Sequence, residues 1–264
     1  MYSPFDFNEA IGHKKEYIED NLREGSPVVG LAYQGGLLLL TLRRTQRKVY
    51  EIYDRQMFSA IGKQADIENI RLSSIQYAHQ EGFERSPDDV SVQRLAGFYL
   101  SPALKKAFGD AWTSPFIIRA LFAEAGRTAD LDVFFTMNYD GEFRQYPHAA
   151  VIAGTQAAED QMLEKLGDST ERLPREDAIR LALSAWTLGA RRALERRIGN
   201  RADETEEYNP LREIDEVDAD RVFLRDELKT AELEVAILER RNVRDTRFRI
   251  LDAKDLEPIL SDYR

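Results

Sequence analysis

The fold is decided by the stretch VVGLAYQGGLLLLTL at residues 28–42. Gln34-Gly35-Gly36 is typical of a tight turn, because glycine tolerates the positive φ that such turns use. The apolar runs on either side predict the two strands of a hairpin. Neither run alternates with polar residues, so we expect both faces of this hairpin to be covered by other parts of the chain.

Other strands also come in hairpins. A second hairpin follows the first directly, and Asp140-Gly141 is a strong turn signal between two later strands. Near the C-terminus, Leu233, Val235 and Ile237 alternate with Glu232, Glu234 and Ala236, which is the pattern of a strand. Beyond residues 28–42, strands are predicted at 48–53, 56–61, 116–124, 132–139, 148–153, 232–237 and 247–250.

Helices are predicted between these groups of strands. Gly25 ends the first helix, Ser86-Pro87-Asp88 begins the third, and Ser101-Pro102 is expected to kink or interrupt it. The predicted helices span residues 4–23, 66–80, 86–108, 156–166, 175–197 and 253–260. Because strands pair as hairpins and do not alternate with helices, a doubly wound parallel sheet is disfavoured. The order predicts an α+β protein, a four-layer αββα sandwich of two antiparallel sheets flanked by helices, with an extra N-terminal helix.

Composition excludes several classes of protein. The 264 residues contain no cysteine, which rules out disulfides, thiolate nucleophiles and Cys-ligated metal sites. The chain carries 47 acidic residues against 37 Lys and Arg, a net charge of −10, which disfavours general nucleic-acid binding. Charged residues interrupt the first 24 positions, and the longest strongly apolar run is Leu37–Leu40. We therefore expect no signal peptide, no membrane segment and a cytoplasmic location.

Most of the excess charge lies in one segment. Residues 201–220 hold nine acidic side chains and two basic ones, Arg201 and Arg212. Blocks of like charge are usually disordered or serve as interaction tails. We expect a solvated loop here, with a functional acidic patch as the alternative.

Taken together, these segments resemble proteasome subunits. The opening strand at 28–36, the stretches at 48–55 and 58–63, Glu68-Asn69-Ile70-Arg71, Tyr139-Asp140-Gly141 and the strand at 234–238 are similar to α subunits of the actinobacterial-type 20S proteasome. The resemblance implies an N-terminal-nucleophile hydrolase fold and a heptameric ring. It also implies a single domain over 1–264, with a gate segment and helix at 1–25 and an acidic insertion at 200–221.

The resemblance raises the question of catalysis. Catalytic members of this fold use the side chain and free amine of their first mature residue, a Thr, Ser or Cys. The residue at that place is Ser26, which is followed by Pro27. The family's catalytic Asp would fall sixteen residues later, where this chain has the apolar Leu42. The Ser-Gly support loop has no match in residues 199–207. We expect the first 25 residues to stay attached and no catalytic residue to be present.

Lys48 lies near the place of the family's catalytic lysine. In similar α subunits the matching lysine lines a pocket between neighbouring subunits and binds the C-terminal carboxylate of an activator's tail. An ammonium group with backbone N–H groups is a common way of capturing a chain terminus. The alternative is an ordinary surface lysine beside Glu51 or Asp54.

The residues before the N-terminal helix would form the gate of an α ring. Aromatic rings and a proline can pack against copies of themselves around an axis, although a frayed terminus is an equal alternative. The candidate gate residues are Tyr2, Pro4, Phe5 and Asp6.

The remaining motifs favour ordinary structural roles. Gly154-Thr155 is interpreted as a packing turn, and no phosphate-binding loop is present, so no ATPase activity of its own is expected. The arginines at 191, 192, 196 and 197 are interpreted as the solvated or ring-contact end of a helix. No metal and no cofactor is expected, because the three histidines lack metal-ligand spacing: His13, His79 and His148.

The sequence thus predicts a non-catalytic α-ring subunit. It would gate substrate entry, dock an ATPase activator by its C-terminal tails, and support proteolysis by β subunits. Two alternatives stay open: a self-processed hydrolase that uses Ser26, and a scaffold ring that works without β subunits. Nucleic acid and membranes are not expected as partners.

Overall fold

A computed structural model describes residues 4–110, 112–167, 172–202, 216–240 and 246–263, with side chains left undescribed at 4–7, 195–202 and 216–217. Within these residues the chain forms ten β-strands and eight α-helices. The strands are β1 Val28–Tyr33, β2 Gly36–Arg43, β3 Val49–Tyr53, β4 Gln56–Gly62, β5 Ile118–Glu124, β6 Val133–Asn138, β7 Phe143–Tyr146, β8 Ala149–Ile152, β9 Glu232–Glu239 and β10 Phe248–Ile250. The helices are α1 Pro4–Leu22, α2 Gln64–Glu84, α3 Val92–Arg94, α4 Ser101–Gly109, α5 Gln156–Leu166, α6 Arg175–Ala202, α7 Glu216–Glu227 and α8 Ala253–Leu260.

The strands form two antiparallel sheets, as predicted. Sheet I has the order β10-β9-β2-β1-β8, and sheet II has the order β3-β4-β5-β6-β7. The opening hairpin occupies the middle of sheet I, where Val28 pairs with Thr41 and Tyr33 with Gly36. Every residue of β1 is buried, which confirms that both faces of this hairpin are covered.

Three apolar layers hold the sandwich together. The outer face of sheet I packs on α5 and α6 through residues such as Leu40, Met162 and Trp186. The two sheets face each other across a second layer that includes Leu39 and Phe134. The outer face of sheet II packs on α2 and α4 in a third layer. The result is the predicted αββα sandwich, whose two inner layers are sheets.

The N-terminal helix reaches into the layer between the sheets. Ile18 and Leu22 of α1 are fully buried there, although α1 itself lies outside the sandwich. Gly154 allows the end of α1 to come this close, because a Cβ at that position would lie 2.6 Å from the carbonyl oxygen of Arg23. Thr155 caps α5 at the same turn. These contacts support the packing role predicted for Gly154-Thr155.

The helix interruption expected at Ser101-Pro102 is present as a change from π-helical to α-helical turns. A π-helical segment, Leu95–Leu100, joins α3 to α4, and Pro102 lies in the first turn of α4. Proline cannot donate to the carbonyl one turn earlier, and a wider turn accommodates that loss.

Two predictions near the acidic segment were wrong. Its last part, from Glu216, forms α7, where Ala219, Phe223 and Leu224 share a buried face against α6. The segment is therefore not a solvated loop throughout, since its apolar residues have helical spacing; residues 203–215 lie outside the described part. Arg191 is not solvated either. It is 3% exposed and pairs with Asp220 at 2.6 Å, because α7 packs against α6 there.

Candidate functional site

Lys48 lies in a cleft of about 1010 Å³ where α1, the first hairpin, α6 and α7 meet. We call this site the Lys48 cleft. One wall is apolar and includes Trp186, Ala190 and Phe223. The opposite wall carries Ser26, Pro27 and Leu42 at the start of β1 and the end of β2, and Lys48 immediately before β3.

The hairpin register brings the polar groups of the cleft together. Thr41 pairs across the ladder with Val28 on one side and with Glu234 of β9 on the other. The Thr41 hydroxyl donates to the Pro27 carbonyl at 2.7 Å, and the Trp186 indole N–H donates to the same oxygen at 2.9 Å. The main chain at the start of β1 is therefore fixed from both sides.

The ammonium group of Lys48 points at this strand end. Its Nζ donates to the Ser26 carbonyl oxygen at 2.8 Å and to the Thr41 hydroxyl oxygen at 3.1 Å. No carboxylate of the described residues lies within salt-bridge distance of Nζ. The other two cations of the cleft each have an acidic partner, since Arg23 pairs with Asp20 and Arg44 with Glu227.

Glu234 supports Lys48 through the backbone. Its carboxylate, 3% exposed, accepts hydrogen bonds from the backbone N–H of Lys48 at 3.0 Å and of Val49 at 3.1 Å. This buried acceptor joins β9 of sheet I to the start of β3 in sheet II. Burial lowers the pKa of Lys48 to about 7, and the negative charge of Glu234 opposes that shift only in part.

The surroundings of Ser26 do not form a nucleophile site. Its hydroxyl donates to the Leu42 carbonyl at 3.0 Å, and the hydroxyl of Thr41 is 3.4 Å away. Lys48 contacts the carbonyl of Ser26 and not its hydroxyl. A catalytic residue of this kind needs a base on its hydroxyl and a carboxylate that sets protonation. Residue 42 is Leu42, which contacts the Ser26 hydroxyl through its main-chain oxygen. It therefore provides no carboxylate at this place.

The cleft is instead suited to bind a ligand that carries an anionic group next to an apolar group. An ammonium group held by two neutral oxygens retains one donor, and no carboxylate of the described residues forms an ion pair with it. The indole and phenyl groups opposite would contact the apolar side chains of a ligand. A carboxylate on Lys48 would form a charge-assisted hydrogen bond, which is stronger than a neutral one.

The other predicted site residues are distributed elsewhere. Pro4, Phe5 and Asp6 belong to the first turn of α1, but their side chains, like the whole of Tyr2, lie outside the described residues. His79 packs edge-on against Tyr53, with ring centroids 5.3 Å apart. Across the described ranges, no group of three or more His, Asp or Glu side chains could hold a metal ion.

Sequence reasoning missed the partners of Lys48. Thr41 lies in an apolar run and gives no separate signal. Glu234 has the alternation of a half-buried strand, yet β9 is buried on both faces because one face packs on the helices and the other on sheet II. A buried glutamate 186 residues away from Lys48 in sequence could be found only from the sheet order.

Comparisons with known proteins agree with this fold. The family model described as "Proteasome subunit" matches residues 22–195. "Proteasome subunit alpha" of Mycobacterium sp. strain KMS is 30% identical over 196 residues, covering 72% of this chain and 76% of the relative. That of Xylanimonas cellulosilytica is 32% identical over 183 residues, covering 67% and 71%. That of Actinosynnema mirum is 29% identical over 187 residues, covering 69% and 68%.

A search of the described helices finds none that is long and apolar enough to cross a membrane. The matched region of the family model begins at the end of α1, covers the opening hairpin and Lys48, and continues into α6. It thus includes Lys48 and Trp186 of the Lys48 cleft but not Phe223. The chain belongs to the proteasome subunit family, and the relatives it matches are bacterial α subunits.

Proposed function

We propose that this chain is a non-catalytic α-ring subunit of a bacterial 20S proteasome in the cytoplasm. Copies of the chain would form a heptameric ring, since identical head-to-tail contacts close into a ring when the rotation per subunit allows it. The ring would stack on β subunits that cut the substrate. The observation that carries the proposal is the Lys48 cleft, combined with membership of the family.

The lack of activity rests on Ser26. Its hydroxyl donates to a main-chain carbonyl, Lys48 contacts its carbonyl oxygen, and residue 42 offers no carboxylate. Gly25, which precedes it, is closely packed, because a Cβ there would lie 2.9 Å from Ile61 Cβ. In self-processing the Ser26 hydroxyl would attack the carbonyl carbon of Gly25, but here that hydroxyl donates to the Leu42 carbonyl.

The Lys48 cleft would bind the C-terminal tail of an ATPase activator. The terminal carboxylate would take the remaining donor of Lys48, and an apolar tail residue would contact Trp186 and Phe223. The ligand class follows from the chemistry of the cleft: one cation that has no ion pair within the described residues, beside an apolar wall.

The start of α1 would act as the gate of the ring. Tyr2, Pro4, Phe5 and Asp6 precede or begin a helix whose opposite end is buried between the sheets. We propose that seven such segments restrict entry to the interior.

The test is co-expression with a candidate β subunit from the same genome, followed by electron microscopy and peptide hydrolysis. The expected result is a stacked particle with seven-fold α rings, in which Ser26→Ala leaves hydrolysis unchanged. A particle without β subunits would favour the scaffold alternative. An intact mass lacking residues 1–25, together with loss of activity in Ser26→Ala, would instead show a self-processed hydrolase.

A further inference from the structure

Lys14 fastens the middle of α1 to the end of α4. Its ammonium group lies 2.7 Å from the carbonyl oxygen of Asp110, 2.9 Å from that of Thr113 and 3.3 Å from those of Ala107 and Phe108. The last carbonyls of a helix have no partner within the helix and carry its negative partial charge. The Lys14 ammonium therefore fills a cation position that the end of α4 creates.

Glu19 provides a second attachment one turn further along α1. Its two carboxylate oxygens accept hydrogen bonds from Arg119 Nη2 at 3.1 and 3.0 Å, and the Tyr139 hydroxyl donates to it at 2.7 Å. Arg119 is 5% exposed and also donates to the Ala153 carbonyl at 2.8 Å. Both partners of Glu19 thus belong to the rigid interior of the sandwich.

The two attachments differ in what they fix. Several contacts hold residues 17–22 of α1: the buried Ile18 and Leu22, the ion pair of Glu19, and the Tyr17 hydroxyl, which accepts a hydrogen bond from Lys63. These contacts span only about 7.5 Å at the end of the helix, so its start can still tilt. Lys14 adds a contact on a different element, α4, about 7.5 Å away along the helix axis. Lys14 therefore limits the tilt of α1, because its contact lies nearer the start of the helix than the contacts of residues 17–22.

We propose that Lys14 is a positioning residue that sets the direction of α1 and thereby the place of Pro4 to Asp6. This inference rests on the proposed gate for its functional meaning. Pro4 lies about 22 Å from Glu19 along the helix, and Lys14 about 7.5 Å, so a displacement of about 1 Å at Lys14 becomes about 3 Å at Pro4. Loss of one hydrogen-bonded ammonium would thus be amplified at the start of the chain.

The test compares Lys14→Met with Lys15→Met. Lys15 is the adjacent lysine, is exposed and carries the same charge, so the control removes an ammonium without removing the attachment. Because the chain has no cysteine, nitroxide labels can be placed at Asn8→Cys on α1 and Gln76→Cys on α2, both exposed. Labelled chain is diluted with unlabelled chain, so that distances within one copy are measured.

Lys14→Met is expected to shift or broaden the distance distribution by about 2 Å, since Asn8 lies about 16 Å from Glu19 along the helix, and to speed amide exchange in residues 8–13 several-fold. Lys14→Arg, which can still donate to the carbonyls, should restore both. Unchanged distances and exchange in Lys14→Met would overturn the inference. Should Lys14→Met fail to fold, Lys14→Gln replaces it, because the amide keeps a donor but lacks the charge.

Peptide hydrolysis by the α–β assembly without activator separates this inference from the proposed gate. A several-fold increase in Lys14→Met but not in Lys15→Met supports both. A shifted α1 with unchanged hydrolysis leaves the positioning role standing and contradicts the gate.

Discussion

Lys14 and Lys48 place the same side chain at two sites close to α1, with different surroundings. Lys14 has four main-chain carbonyls around its ammonium group at the end of α4. Lys48 has two neutral oxygens, Ser26 O and Thr41 Oγ1, and lies at the edge of a cleft of about 1010 Å³.

The difference separates an attachment from a binding site. An ammonium group has three donors, and four nearby carbonyls can occupy all of them. Lys14 therefore has no donor left for a ligand. Lys48 retains a donor, lies beside open volume and has a pKa lowered to about 7 by burial. A buried cation that lacks a full set of partners is stabilised when an anion arrives.

The largest expected effect is on tail binding. Lys48→Ala removes the charge that a terminal carboxylate would contact, and such charge-assisted bonds contribute about 1.5–3 kcal/mol. Binding of an activator tail peptide should weaken about 10- to 100-fold, measured by calorimetry, and activator-stimulated degradation should be lost while ring assembly persists. Lys165→Ala, an exposed lysine at the end of α5, is the control. Unchanged stimulation in Lys48→Ala would remove the pocket role.

Substitution of Glu234 tests whether its hydrogen bonds to the backbone stabilise the Lys48 cleft. Glu234→Gln weakens the acceptor for the N–H groups of Lys48 and Val49, both next to the buried start of β3. The expected loss in the free energy of unfolding is about 2 kcal/mol, measured by denaturant titration. Glu232→Gln is a matched control on the same strand, because that side chain is 71% exposed. Equal losses in the two variants would contradict the supporting role of Glu234.

The sequence predicted the layers well because they depend on local patterns. The turn at Gln34-Gly35-Gly36, the apolar strands beside it and the stripe on α6 each specify their own element. Hairpins account for part of each sheet, whereas the pairs β2–β9, β1–β8 and β4–β5 join strands that are far apart in sequence. The interruption before Pro102 is likewise a local property of proline.

The partners of charged groups could not be predicted in the same way. Arg191 meets Asp220 across the segment whose middle lies outside the described residues, and Glu19 meets Arg119 from a position 100 residues away. Such pairs depend on how elements pack after they form. Exposed and buried charges look identical in sequence, so the solvated interpretation of Arg191 was wrong for a physical reason.

If the ammonium group of Lys48 binds the tail carboxylate, tail binding should depend on pH. Only the ammonium form attracts a carboxylate, and the pKa of about 7 means that the free site loses its proton as pH rises above that value. Binding then requires proton uptake, so the Kd should rise up to about tenfold per pH unit between pH 7 and 8.5. Lys48→Arg stays charged over this range, and its Kd should stay constant. A wild-type Kd that does not change with pH would contradict the assignment.

The smallest expected effect is on stability, and it distinguishes the two lysines directly. The pKa of Lys48 is lower in the folded chain, about 7, than its ordinary value of 10.5. Between these values the unfolded chain binds the proton that the folded chain has released, so the free energy of unfolding rises with pH. Relative to Lys48→Met, the wild type should gain about 2 kcal/mol from pH 7 to pH 9, because one pH unit corresponds to at most about 1.4 kcal/mol and the difference is half a proton at pH 7.

Lys14→Met serves as the comparison for the same measurement. It removes an ammonium group from four carbonyls, so it should lower the free energy of unfolding by about 1 kcal/mol already at pH 7. Lys48→Met at pH 7 removes a desolvated amine along with its two hydrogen bonds, and these contributions offset each other. If Lys48→Met instead destabilises the chain as much as Lys14→Met and by an amount independent of pH, Lys48 is an attachment like Lys14, and the cleft loses its basis as a binding site.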